Sequence, residues 1–228
     1  MKRFRIFMAL FVIAIFSGLV FAMSEKGEEA FQKLMEGNKR FVSGNLEQKD
    51  LSDTKRKELL KGQKPFAIVL ACSDSRVSPE LIFNQGLGDI FVVRVAGNIV
   101  DPIEIRSIEY AAEHLNSPLL FILGHEKCGA VTATYETVET KGKPCPIAKK
   151  ITPAVIAAKK KGGTKDEIIE TAINENVKNV YQEIMSSSKI IKHLVQEGKL
   201  KIVAGKYSLT TGKVEMIELP VLAEKTKH

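Results

Sequence analysis

A thiol, a carboxylate and a guanidinium occupy alternate positions in Cys72-Ser73-Asp74-Ser75-Arg76, directly after the apolar run Phe66-Ala67-Ile68-Val69-Leu70-Ala71. An apolar run of this length reads as a strand, and a helix is predicted to begin near Pro79. Side chains just past the C-terminal end of a strand emerge into the crevice where open α/β sheets bind ligands. Taken alone, the trio admits a cysteine nucleophile, and Cys72 alone is equally readable as a small buried hydrophobe. A second cluster changes the balance. Gly124-His125-Glu126-Lys127-Cys128-Gly129 follows the apolar run Leu119-Leu120-Phe121-Ile122-Leu123 and sets a histidine and a cysteine three positions apart across a strand-to-helix turn. If the two strands are neighbours, as consecutive elements often are, Cys72, His125 and Cys128 meet at one sheet edge. Two thiolates and one imidazole make a zinc set, with a fourth position left for Asp74, water or substrate. Cys145, in Lys143-Pro144-Cys145-Pro146, has no metal-binding neighbours, and the chain has no Cys-x-x-Cys motif to suggest a redox pair.

The elements that must position these groups read as a single α/β domain over residues 23–228. The first strand is Phe66–Ala71, the second Ile90–Val95 and the third Leu119–Leu123, running into Gly124-His125. Between the second and third, residues Ile103–Leu115 have helical spacing, which implies a right-handed crossover and parallel strands. Helical patterns cover Ile147–Lys160, Lys165–Met185 and Ser188–Glu197, broken by Pro153, Gly162-Gly163 and Gly198. Leu200–Gly205 and Lys213–Ile217, joined through Thr210-Thr211-Gly212, form a hairpin at the sheet edge. The prediction is a mainly parallel sheet of four to five strands with an antiparallel edge strand, flanked by helices. An amphipathic N-terminal helical arm, with Ala30, Phe31, Leu34, Met35, Phe41 and Val42 on one stripe, covers the sheet of this subunit or of a partner. Residues 43–65 read as loop and a short helix.

Composition sets the surroundings. Lys2, Arg3 and Arg5 precede an apolar run, Ile6–Phe16, too short to span a membrane, and Val20 and Ala22 suit a signal peptidase. Residues 1–22 therefore read as a cleaved signal peptide, with an uncleaved anchor as the competitor, and the mature protein is expected in the periplasm or outside the cell. Loss of the three basic residues lowers the formal charge from +7 to +4. The remaining lysines are scattered and lack interleaved aromatics, so neither nucleic acid nor, after cleavage, membrane is an expected partner.

Cys72-Ser73-Asp74-Ser75-Arg76 together with His125-x-x-Cys128-Gly129 resembles the β-class carbonic anhydrases. The similarity extends from Glu36-Gly37-Asn38-Lys39-Arg40-Phe41 to Gly205-x-Tyr207 and Thr211-Gly212. The resemblance implies one Zn2+ per subunit on Cys72, His125 and Cys128, with Asp74 as a further ligand in a closed state of some members. It implies Asp74 and Arg76 as a catalytic dyad, in which Arg76 holds the carboxylate off the metal. It implies Gln63, Phe91, Tyr110 and Gly129 as substrate-binding positions, and a homodimer or an assembly of dimers. The implied reaction is attack of zinc-bound hydroxide on CO2 to give bicarbonate and a proton. No histidine is an evident proton shuttle, His114 being the one candidate. Glu126 departs from the small or hydroxylic residue that many members carry after the histidine. Two rivals stand beside this reading: hydrolysis of a sulfur analogue of CO2 on the same scaffold, and zinc storage or sensing, against which Asp74 and Arg76 argue.

Overall fold

A computed structural model describes residues 25–221. The signal peptide expected over residues 1–22 lies outside the described residues. The strands are β1 (Ala67–Ala71), β2 (Ile90–Arg94), β3 (Leu119–His125), β4 (Lys201–Tyr207) and β5 (Val214–Met216). The helices are α1 (25–43), α2 (Asp53–Leu59), α3 (Pro79–Ile82), α4 (Pro102–Glu109), α5 (Gly129–Glu139), α6 (Pro146–Lys161), α7 (Lys165–Ser187) and α8 (Lys189–Gln196). The sheet runs in the order β2-β1-β3-β4-β5, parallel throughout except for β5, which pairs antiparallel with β4. This is the mainly parallel sheet with an antiparallel edge that the apolar runs predict.

β1 is buried at every position because helices cover both faces of the sheet, which is why it reads as an unbroken apolar run and not as an alternation. Val69, Ala71, Phe121 and Leu123 face Ala30 and Leu34 of α1 together with Ile82 and Phe83. Phe31 of α1 stacks on Phe121 with centroids 6.5 Å apart. Residues 25–43 of the N-terminal helix thus lie on their own sheet, with Ala30 and Leu34 buried and Val42 of the stripe exposed. Ile68, Leu70, Leu120 and Ile122 point the other way, toward Ile105 and Ile108 of α4, Val177 and Ile184 of α7 and Ile191 of α8.

Two local readings differ from the fold. Pro153 does not break α6, which is continuous from Pro146 to Lys161. A proline inside a helix costs about 3 kcal/mol. Full burial of Ile151 and Val155 on the same helix returns about 1.5–3 kcal/mol each, so packing wins. The helix predicted to Leu115 ends as α at Glu109, and Tyr110–His114 form a π turn in which Leu115 N–H reaches back five residues to Tyr110 O.

The chain leaves β1 toward β2 on one side, then crosses back over β1 to enter β3 on the other. The sheet therefore has its switch point between the C-terminal ends of β1 and β3, where a crevice must open.

Candidate metal centre

Ala71 pairs with Leu123 in the β1–β3 register, so Cys72 and the Gly124-His125 end of β3 arrive side by side. His125 is the last residue of β3, and Cys128 is the N-cap of α5. The donor atoms of Cys72, His125 and Cys128 all lie within 4.8 Å of one another, and all three residues are buried. Bonds of about 2.3 Å to a tetrahedral zinc would set two sulfurs about 3.8 Å apart, so the cluster has the right size.

The protonation pattern fits a dication. His125 Nδ1 lies 2.8 Å from Glu126 O, and since a carbonyl only accepts, Nδ1 carries the proton. Nε2 is then a lone pair, fully buried and with no hydrogen-bond partner. The thiol of Cys128 hydrogen-bonds the sulfur of Cys72. This contact, helped by the Gly97 N–H at 3.2 Å, draws the Cys72 pKa well below that of an ordinary thiol against the cost of burial. The same contact, burial and the charge on Cys72 together push the Cys128 thiol up. One thiolate forms readily and opposes the second, and a divalent cation is the group that would stabilise both. The residues present fit zinc.

Asp74 stands beside the trio, its Oδ2 4.0 Å from His125 Nε2, but it is engaged elsewhere. Arg76 donates Nε to Asp74 Oδ1 at 2.9 Å and Nη2 to Oδ2 at 2.8 Å, and its own N–H donates to Oδ1 at 3.0 Å. The Arg76 guanidinium accordingly holds the Asp74 carboxyl far below the usual carboxylate range. Gly129, the first residue of α5, is exposed, and a Cβ built there would meet no atom within 4 Å, so the space beside Cys128 is open.

The remaining expected pocket residues are not brought to this centre within one chain. Phe91 pairs in register with Ile68, four residues before Cys72, or about 13 Å down the strand at roughly 3.3 Å per residue. It packs against Tyr110, centroids 6.2 Å apart, over a hollow of about 460 Å3 that also involves Ile103 and Arg106. Gln63 precedes β1 and shares another hollow, of about 680 Å3, with Lys26, Lys33 and His114 at the N-terminal end of the strands. His114, the candidate shuttle, is therefore also remote from its own chain's trio. Gln63, Phe91, Tyr110 and the metal ligands do not line a single pocket within one subunit.

Several residues contact the centre without having been singled out from sequence. Arg94, at the end of β2, donates Nε to Cys72 O at 3.0 Å and Nη2 to Asp74 O at 2.7 Å. Asn176 of α7 donates to Gly97 O at 2.8 Å, anchoring the residue whose own N–H meets Cys72. An arginine closing a strand at the same sheet edge as Cys72 was the available signal for Arg94; Asn176 gave none.

A family model described as carbonic anhydrase matches residues 67–214. Carbonic anhydrase 2 of Mycobacterium tuberculosis is 38% identical over 189 residues, which are 81% of this chain and 89% of that protein. The solved β-carbonic anhydrase CcaA superposes with a TM-score of 0.66 at 26% identity, covering 82% of this chain and 95% of its own. A β-carbonic anhydrase of Sordaria macrospora, described as tetrameric, has the same fold, with a TM-score of 0.62, 21% identity and coverage of 73% and 87%. The match takes in the strands that carry the trio as well as the trio itself, and the chain belongs to the β class of the carbonic anhydrases.

Proposed function

We propose that the protein catalyses the reversible hydration of CO2 to bicarbonate and a proton, with one Zn2+ per subunit. The convergence of Cys72, His125 and Cys128 next to an Asp74 already paired with Arg76 is the observation that carries this reading. Cys72, His125 and Cys128 would hold the zinc, which when bound supplies a Lewis acid that acidifies a water and so furnishes a hydroxide nucleophile near neutral pH. Two thiolates neutralise the dication and weaken that effect, so the chain's other residues have to contribute. Arg76 occupies both oxygens of Asp74 from one side and leaves the remaining lone pairs of Oδ2 to accept a hydrogen bond from the nucleophile and aim it. The open space at Gly129 gives a small non-polar substrate room to approach. Storage of metal would need neither Asp74 nor Arg76.

Gln63, Phe91 and Tyr110 would serve the centre of a second copy of the chain. Tyr110 and Ile103 are exposed at 46% and 78%, unusual for large apolar side chains over a shared hollow, and α2 buries no residue in its own subunit. Both features suit a homodimer or an assembly of dimers. Residues 1–22 would direct the chain to the periplasm or the medium, and the mass of the mature N-terminus checks this.

Stopped-flow CO2 hydration with metal analysis tests the activity: zinc-loaded protein without hydration sinks it. Mixing inactive Cys72→Ser and inactive Tyr110→Ala chains under exchange conditions tests the shared pocket. Hybrids should regain activity, because one of their two centres is intact. No recovery from mixed dimers would return Tyr110 to a role in its own subunit.

A further inference from the structure

We infer that Glu170, on α7, is a positioning residue for the metal centre and acts through the backbone of Lys127. Lys127 lies between the ligands His125 and Cys128 and has φ +50°, in the left-handed region that side-chain-bearing residues seldom occupy. A residue in that region persists where its surroundings hold it there. The holding contacts are on both sides of its backbone. Lys127 N–H donates to Glu170 Oε1 at 2.9 Å, and Arg76 Nη2 approaches Lys127 O at 3.4 Å. Glu170 is itself anchored, its Oε2 accepting from Lys206 Nζ at 3.0 Å. Lys206 is the register partner of Gly124, the residue before His125, so the clamp is referenced to the strand that carries the histidine.

The turn at Lys127 is what brings Cys128 back toward His125. Glu170 therefore fixes the spacing of two ligands without touching either, and the exposed Lys127 side chain takes no part. The inference rests on Cys72, His125 and Cys128 being the zinc ligands. Groups that orient ligands in this way typically change metal affinity about 10–100-fold when removed.

The test uses the full chain as wild type, Glu170→Ala, Lys127→Gly and the double variant. Zinc affinity is read by competition with a chromophoric chelator, and geometry by the thiolate charge-transfer and ligand-field bands of the Co2+ form. Glu170→Ala should bind zinc at least about tenfold more weakly, with shifted cobalt bands. In the Lys127→Gly background, where the left-handed turn needs no support, the same substitution should cost much less. If Glu170→Ala does not fold, Glu170→Asp, with its carboxylate set back by one methylene, should weaken zinc in the same direction. Wild-type affinity and bands in the Glu170 variant overturn the inference, as does a loss undiminished by Lys127→Gly. A wild type that binds no zinc overturns the metal-centre reading and this inference with it.

Discussion

Arg76→Ala removes the group that decides where the Asp74 carboxylate points. The substitution deletes two side-chain hydrogen bonds to Asp74, at 2.9 and 2.8 Å, and the longer one to Lys127 O at 3.4 Å, and leaves the backbone donor at 3.0 Å. Exposed ion pairs contribute about 0.2–1 kcal/mol. A hydrogen bond to a charged group contributes about 1.5–3 kcal/mol when shielded. Arg76 is 51% exposed and Asp74 16%, so the pair falls between these limits and is weakened by solvent screening. Once freed, Asp74 Oδ2 is already 4.0 Å from His125 Nε2 and can swing to the fourth metal position. Losing a partner that orients a group at a metal typically costs about 10–100-fold, so kcat/KM should fall at least about tenfold while zinc stays at one per chain. Arg76→Lys keeps the charge but not the two-pronged geometry and should lie between. Stopped-flow hydration with a pH indicator, alongside metal analysis, reads both quantities. Because Arg76 lowers the Asp74 pKa, the stabilising pair is complete above the unfolded value of about 3.9 and is lost only as pH falls through the lower folded value. The defect should therefore be uniform across the neutral and alkaline range. Wild-type turnover in Arg76→Ala refutes the dyad, and loss of zinc makes Arg76 a structural support instead.

Cys145→Ser should keep zinc and activity, because Cys145 is exposed and caps α6 through a long 3.5 Å contact with Ala148 N–H; serine caps a helix better, so the melting temperature should hold or rise slightly. Loss of zinc there would mean that the ligand set is wrong. Gly97→Ala forces φ +72° on a side-chain-bearing residue and drives a Cβ to 2.7 Å from Ile151 Cδ1. It should cost about 2–4 kcal/mol from backbone strain and overpacking together, read by denaturant unfolding of the zinc-free chain, and a cost near zero would show that the Gly97 turn is not held as described.

What could be read from the sequence was what is local or strictly periodic. β1 and β3 announce themselves as apolar runs because both faces of the sheet are covered, and the β4–β5 hairpin is marked by Thr210-Thr211-Gly212, with Gly212 at φ +73°. Cys72, His125 and Cys128 were legible because Cys72 directly follows β1, His125 ends β3 and Cys128 stands three residues beyond it, so that pairing β1 with β3 was enough to bring them together. The supports of that centre were not legible. Glu170 meets Lys127 across 43 positions of sequence and Asn176 meets Gly97 across 79, through helix packing that no spacing encodes. Pro153 misled because the breaking tendency of one residue says nothing of how well α6 packs on α7.

Gln63, Phe91 and Tyr110 show a different limit. Their resemblance to pocket residues is position by position, yet the parallel sheet separates them from the metal ligands by its own length. Cys72 and His125 sit at the C-terminal ends of their strands, while Gln63 precedes β1 and Phe91 is the second residue of β2. No side-chain rotation spans four residues of extended strand. A parallel strand offers its two ends to opposite sides of the subunit, so residues at both ends can share one pocket only if two subunits meet with those ends opposed. The exposed Ile103 and Tyr110 over the hollow at Phe91 are the surface on which such a meeting would occur. The sequence carries these residues in one line, and the fold of a single chain distributes them to two faces, so the proposed shared pocket stands or falls with the hybrid-dimer experiment.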